Sequence, residues 1–288
     1  MKISCETMKI EEFPSRIVLE LTPLCNLSCP MCPRHYIKEA DGYMSEQLFK
    51  KLIDEIESEN KQAIVLPFWR GESCMHPNVL ELLHYALDKG IRIHLSTNGH
   101  FMSQEFMDVF YRCEFVTFSL HTNVGNTNAK KMVEHKPAWC QTITQVSFVD
   151  SEKNTGEFLK ECTADATLNG FDSVRLYFEH TVGGEFGKGA KKVDLNRTAC
   201  PKLAHTFVVS ADGGYSRCNH IWEPKDASSL ARSSIKEVWN GPIMNEIRTK
   251  YPDGLCGPCD QWSGHTNGEA WQKKVDGQIK HIIYGPGQ

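Results

Sequence analysis

No apolar run in these 288 residues approaches the roughly 20 that a membrane-spanning helix needs. The first residues, Met1 to Pro14, mix Lys2, Glu6, Lys9, Glu11 and Glu12, a pattern foreign to both secretory and transit peptides. Positive charge is not in surplus either. Against 36 Asp and Glu stand 32 Lys and Arg, a formal net charge of −4 with His neutral. The electrostatic footprint of a nucleic-acid binder is therefore missing. These absences predict a cytoplasmic protein with neither membrane nor nucleic acid among its partners. With 40% hydrophobic and 24% charged residues the chain reads as globular, long enough for one large domain and a small one.

Cysteine is plentiful, with 12 residues. In a reducing compartment disulfides are rare, so this number points to metal. Cys5, Cys74, Cys113, Cys140 and Cys162 are scattered, and the rest form two groups with ligand-like spacing. The first group is Cys25-Asn-Leu-Ser-Cys29-Pro-Met-Cys32, directly after the apolar run Ile17 to Leu21. Thiolates are soft ligands, and a closed zinc or iron–sulfur site wants four of them. One loop offers three, which on a cubane leaves one iron open to a substrate or cosubstrate. The plainer alternative is a zinc knuckle that borrows a fourth ligand. The second group is Cys200, Cys218, Cys256 and Cys259, enough for one closed cluster or one zinc ion.

The chain between the groups alternates strand and helix. Strands are predicted at 17–22, 63–68, 91–95, 115–120, 143–149 and 174–178. Helices are predicted at 45–59, 77–89, 103–111, 126–135 and 156–168. Ser45 is the expected N-cap of the first helix and Gly90 the stop of the second. This order predicts parallel βα units with right-handed crossovers, an α/β open or partial six-unit TIM-like barrel. Residues 181–199 are glycine-rich and read as a linker. Beyond it, residues 206–210 and 215–218 form an expected hairpin with a cysteine at each foot, and 234–240 and 242–250 two short helices. The domain division is thus 1–180 for the barrel, 181–199 for the linker, 200–262 for the cluster module and 263–288 for a tail.

Every motif found lies just after a strand, on the end where such folds work. After the second strand comes Trp69-Arg70-Gly71-Glu72-Ser73-Cys74, after the third Ser96-Thr97-Asn98-Gly99, and after the fourth Ser119-Leu120-His121. Taken with the CxxxCxxC loop, the chain resembles the radical S-adenosylmethionine (SAM) superfamily. The order Cys200, Cys218, a helix with Trp239 and Arg248, then Cys256-Gly-Pro-Cys259 resembles its SPASM auxiliary-cluster domains and their shortened twitch form.

The resemblance implies two 4Fe-4S clusters and SAM as cofactors, with a flavodoxin- or ferredoxin-type electron donor. It implies Cys25, Cys29 and Cys32 as ligands of the SAM-binding cluster, and Cys200, Cys218, Cys256 and Cys259 as ligands of the auxiliary one. Gly71 and Glu72 correspond to the residues that receive the SAM amino group, and a carboxylate suits an ammonium. Ser96, Asn98, Ser119 and His121 fall where the family contacts SAM, and Met31 stands where it usually carries an aromatic residue. Lys131 is either a partner of the SAM carboxylate or a surface lysine.

For the reaction, His180 is a candidate base and Cys74 a candidate hydrogen-atom donor, set against an ordinary surface histidine and a packing cysteine. The compact chain is similar to the aminocyclitol dehydrogenase of butirosin assembly and the neomycin epimerase, which implies a small, sugar-like substrate oxidised or epimerised. Peptide maturation is the rival, disfavoured because only 16 residues precede the first strand. A non-catalytic iron–sulfur electron carrier is the third reading, and it has no need of the SAM motifs.

Overall fold

The structure, a computed structural model, describes residues 9–36, 41–150, 170–178, 200–222, 229–251, 256, 259, 268–275 and 278–284. They fall into two compact units. One is built from described residues within Met1–Ser28, Cys32–Ile93 and Thr181–Gly264, the other from those within Cys29–Met31, His94–His180 and His265–Gln288. Strand β3 (Arg92–Thr97) runs from the first into the second.

In the first unit β1 (Arg16–Leu19) is the central strand. It pairs in parallel with β2 (Ile64–Leu66), Ile17 opposite Val65, and β2 pairs in parallel with the start of β3. On its other side β1 pairs in parallel with β7 (Thr206–Val209), Ile17 opposite Phe207, and β7 turns back on β8 (Tyr215–Ser216). On one face of these strands Val18, Leu66 and Val208 form a buried cluster, with Phe68 and Trp69 packed on it. Helix α1 (Glu46–Asn60) buries Leu48, Phe49, Leu52, Ile53 and Ile56, the stripe its periodicity requires, and Ser45 caps it by accepting from the Leu48 N–H at 3.2 Å. Helix α2 (Val79–Asp88) ends before Gly90, whose φ of +74° suits glycine.

The cluster-bearing segment docks on the same unit. Its elements are α5 (Lys202–His205), α6 (Ser229–Arg232), α7 (Ile235–Trp239) and α8 (Pro242–Thr249). Glu55 of α1 accepts the Ile235 and Lys236 N–H groups at 2.8 and 2.9 Å, so a charge on one helix caps another. Lys51 donates to the Leu230 and Ser233 carbonyls at 2.7 and 2.8 Å. Trp239 is fully buried and donates to the Glu11 carbonyl at 2.8 Å, while the buried Arg248 guanidinium lies 4.0 Å from its ring centroid.

In the second unit β3, β4 (Phe115–Ser119), β5 (Ile143–Asp150) and β6 (Ser173–Phe178) pair in chain order, all parallel. Val116, Phe118, Val146 and Val174 line one face and are buried. Two helices of this unit are α3 (Gln104–Phe110) and α4 (Asn123–Glu134). The sequence placed the start of α4 at residue 126. Thr122 moves it forward, because its hydroxyl caps the Gly125 N–H at 3.1 Å.

Six parallel strands paired in sequence order meet the α/β expectation, in a sheet that is mostly parallel. The sequence reading did not foresee β9 (Gly268–Val275) and β10 (Gln278–Tyr284). They form an antiparallel pair, and β9 adds antiparallel to β6 with Trp271 opposite Ser173. The helix expected at 156–168 and the linker at 181–199 lie outside the described residues.

Candidate functional site

The cysteine loop starts where β1 ends, and Gly71-Glu72 is strapped to its beginning. The Glu72 N–H donates to the Leu24 carbonyl at 2.7 Å. A Cβ on Gly71 would stand 2.3 Å from that carbonyl oxygen and 2.4 Å from that of Thr22, so only glycine fits the approach. The Glu72 side chain is buried and caps the short 3-10 turn Ser73–Met75 by accepting from the Cys74 N–H at 3.1 Å. Burial pushes the Cys25 thiol up, and the neighbouring Glu72 carboxylate and Cys32 add to it. The Leu27 N–H and the Arg34 guanidinium act in the other direction. Glu72, Cys25 and Cys32 thus lie within one electrostatic neighbourhood.

The Ser96-Thr97-Asn98-Gly99 turn is built by its own side chains. Thr97 Oγ1 accepts from the Gly99 N–H at 3.2 Å and Asn98 Oδ1 from the His100 N–H at 3.1 Å. His100 Nε2 meets Thr122 Oγ1 at 2.7 Å, and Asn128 donates to the Gly99 carbonyl at 2.8 Å. The turn is thereby fixed to the first turns of α4, where a Cβ on Gly125 would stand 2.3 Å from the Asn98 carbonyl oxygen. Sequence reasoning missed His100 and Thr122, since a histidine after a glycine turn carries no signal of its own.

Strand register puts Ser96 beside Thr117, Thr117 beside Gln145 and Gln145 beside Ser173, on the face opposite Val116 and Phe118. The next row on that face is Ser119, Ser147 and Arg175. Gln145 donates to Ser173 at 2.6 Å, and the hydroxyls of Ser119 and Ser147 are 3.2 Å apart. The face that carries two of the expected SAM residues is thus polar across four strands. His121 follows it, half-buried, its imidazole held neutral by burial.

In the second cysteine group burial pushes up the thiols of Cys200 and Cys218. Cys259 adds to the effect at Cys200, and Cys200 to that at Cys218. Lys202 opposes it at both, and Arg217 Nη1 points to Cys256 Sγ at 4.0 Å. The ten described cysteines are thiols outside any disulfide. Among the described residues no three His, Cys, Asp or Glu side chains are gathered to hold a single metal ion. The donor set, thiols with lysine and arginine close by, fits an anionic iron–sulfur cluster. Met31 is half-buried, Lys131 is exposed on α4, Cys74 is buried, and His180 lies outside the described residues.

The comparisons follow the same division. Residues 19–145 match the family model for the radical SAM superfamily, and residues 200–260 match the SPASM model of an iron–sulfur cluster-binding domain. The chain carries a radical SAM domain and a SPASM domain.

The chain thus carries two domains that imply SAM and a 4Fe-4S cluster as cofactors, with auxiliary iron–sulfur ligation in the SPASM domain. It is 29% identical over 91 residues to a tungsten-containing aldehyde ferredoxin oxidoreductase cofactor-modifying protein of Pyrococcus furiosus, 32% of this chain and 26% of that protein. The chain thus aligns with about a quarter of that curated relative's length. Its fold is similar to that of BtrN in complex with AdoMet and 2-DOIA, at a TM-score of 0.62 and 16% identity, covering 85% of this chain and 92% of that one. It is also similar to Streptococcus suis SuiB bound to precursor peptide SuiA, at 0.64 and 14%, covering 87% and 70%. Among the described residues no helix is long and apolar enough to cross a membrane.

Proposed function

We propose that this radical SAM enzyme removes a hydrogen atom from a C–H bond of a small, polar, sugar-like or aminocyclitol-like substrate, and that the outcome is oxidation. The observation that carries this reading is the polar face of β3 to β6, where Ser96, Thr117, Gln145, Ser173, Ser119, Ser147 and Arg175 lie on one side. Hydroxyl, amide and guanidinium groups there suit a ligand rich in hydroxyls and amines, whereas an apolar ligand would desolvate them without offering hydrogen bonds in return. The similarity in fold to BtrN, which was solved in complex with AdoMet and 2-DOIA, supports the same class.

In this reading Cys25, Cys29 and Cys32 hold the SAM-binding cluster, and Glu72 receives the SAM amino group beside it. Ser96, Asn98, Ser119, His121 and Met31 surround adenine and ribose. Cys200, Cys218, Cys256 and Cys259 hold a second 4Fe-4S cluster, and a flavodoxin- or ferredoxin-type protein donates the electron. When bound, the SAM-binding cluster and SAM would supply an electron and an organic radical that takes one hydrogen atom from an unactivated carbon, and the auxiliary cluster would supply the acceptor for the substrate's second electron. His180 is the proposed base for the substrate proton.

Oxidation is favoured over epimerisation because the 17-residue gap between Cys200 and Cys218 and the Cys256–Cys259 pair resemble the dehydrogenase of butirosin assembly. Incubation with SAM, dithionite and a panel of aminocyclitols is expected to give 5′-deoxyadenosine and a product two hydrogens lighter. A product of unchanged redox level that carries one solvent deuterium after reaction in deuterated water would establish epimerisation instead. The likeness to peptide-bound SuiB supports a second reading, maturation of a ribosomal peptide. SAM turnover that responds to a peptide and to none of the small molecules would select it.

A further inference from the structure

Trp69 and Arg70 immediately precede Gly71-Glu72, and both reach the segment that carries Cys218. The Trp69 indole N–H donates to the Asn219 carbonyl at 2.8 Å, and the Trp222 indole donates to the same carbonyl at 3.1 Å. Asn219 follows Cys218, whose Sγ lies 3.7 Å from Asn219 Oδ1. The Arg70 guanidinium stacks 4.5 Å from the Trp69 ring centroid, and its Nη1 donates to the Trp222 carbonyl at 3.1 Å. Its other nitrogens fork onto Glu20, which also accepts the Ala211 N–H at 3.1 Å. One side of this network is the strand end and motif that lead to the SAM site. The other is the loop of an auxiliary-cluster ligand.

We propose that Trp69 and Arg70 are positioning residues that couple the auxiliary-cluster loop at Cys218 to the SAM-holding segment Gly71–Glu72, so that occupancy of the auxiliary site tightens SAM binding. This rests on the site assignments proposed above.

The parts are stiff enough to transmit a displacement. An indole has two side-chain torsions, and a stacked, forked guanidinium is planar and held at several nitrogens. Trp69 is seated on the Val18–Leu66–Val208 cluster, so its ring cannot swing freely. Gly71 has no slack either, pressed against the Thr22 and Leu24 carbonyls just before Cys25. A movement of the Asn219 carbonyl therefore passes through one hydrogen bond and the peptide links from Trp69 to Glu72. Coupling of this kind is reciprocal, so SAM in turn tightens the hold of the auxiliary site.

The test uses the full chain, reconstituted anaerobically, with iron per chain and the SAM dissociation constant measured by equilibrium dialysis. Cys256→Ser/Cys259→Ser strips the auxiliary site and leaves Cys218, Asn219 and Trp222 unchanged, altering only the Arg217 contact to Cys256 within that loop. It is introduced into the natural sequence, into Trp69→Phe, which keeps an aromatic ring and loses the N–H donor, and into Arg70→Lys, which keeps the charge and loses the fork. In the natural sequence the loss of auxiliary iron is expected to weaken SAM binding about tenfold, within the usual range of coupling between sites. In both position-69 and position-70 backgrounds the same loss is expected to change it less than about twofold. A role in folding alone would lower affinity without altering this ratio. Equal ratios in all backgrounds, or no effect in the natural sequence, overturn the proposal. Iron that stays at its full level in Cys256→Ser/Cys259→Ser overturns the site assignment, and the coupling with it.

Discussion

Arg70 grips Glu20 through two hydrogen bonds, Nε to Oε1 at 2.7 Å and Nη2 to Oε2 at 2.6 Å, with the carboxylate fully buried and the guanidinium nearly so. Removing one partner leaves a buried charge uncompensated, which typically costs about 3–5 kcal/mol. Glu20→Met and Arg70→Met are each expected to lower the denaturant midpoint by that order. The double variant Glu20→Met/Arg70→Met is expected to recover much of the loss, since a well-packed apolar pair can replace a buried ion pair. Urea unfolding of all three under anaerobic conditions measures it, and a double variant as unstable as the sum of the singles would refute the argument.

Replacing Cys25, Cys29 and Cys32 together by Ala is expected to halve the iron of the reconstituted protein, from roughly eight per chain if two cubanes are held. SAM cleavage under dithionite should disappear with it. Continued formation of 5′-deoxyadenosine by this variant would show that the loop is not the SAM-binding cluster site.

Glu72→Gln keeps the shape of the side chain and its place over the Cys74 N–H. A charge-assisted hydrogen bond is worth about 1.5–3 kcal/mol, so SAM affinity is expected to fall by roughly one to two orders of magnitude. Gly71→Ala is expected to do more, because its Cβ would collide with two backbone carbonyls that cannot yield. It should impair cluster loading as well, visible as lower iron content. Normal SAM binding by Glu72→Gln would remove that residue from the site.

Burial lowers the affinity of His121 and of His205 for a proton, so both are neutral in the fold. An unfolded histidine titrates near pH 6.5, and the unfolded chain therefore binds more protons below that value. The stability these residues contribute is full above about pH 6.5 and declines as the pH falls through their lower folded values. Denaturant midpoints between pH 7.5 and 5.5 should drop accordingly, and His121→Gln should flatten part of the slope. A slope indifferent to this substitution would mean that His121 is solvated in the fold.

Cys113 is buried, and burial pushes its thiol up to about 12. Thiolate is the reactive form, so Cys113 is expected to escape iodoacetamide at pH 8 in the folded apo-protein and to react once urea is added. Peptide mapping reads both conditions. Labelling of Cys113 without denaturant would show that the core around it opens.

Much of this was legible in the sequence where the cause is local. Ser45 before a helical stripe, Gly90 after one and Ser234 three residues before Glu237 each announce a helix end through a bond to a near neighbour. The two cysteine groups are likewise readable, because ligand spacing is short-range. What was not legible depends on partners far apart in the chain. Glu20 looks like a polar interruption of an apolar strand until Arg70 and Ala211 stand around it. The pairing of β7 with β1 joins residues nearly two hundred positions apart. The β9–β10 pair was within reach: Asp276-Gly277 separates the two strands, a dipeptide that favours tight hairpins.

The parallel pairing of β7 with β1 has a consequence for how the chain can be divided. Without residues 200–251, β1 would present a bare row of backbone donors and acceptors, flanked by Ile17, Val18 and Leu19. Such an exposed, apolar border is a template for pairing with another molecule. The segment that bears the second cysteine group therefore also acts as an edge guard, and a chain cut before it would be prone to stick to copies of itself before any question of electron transfer arises.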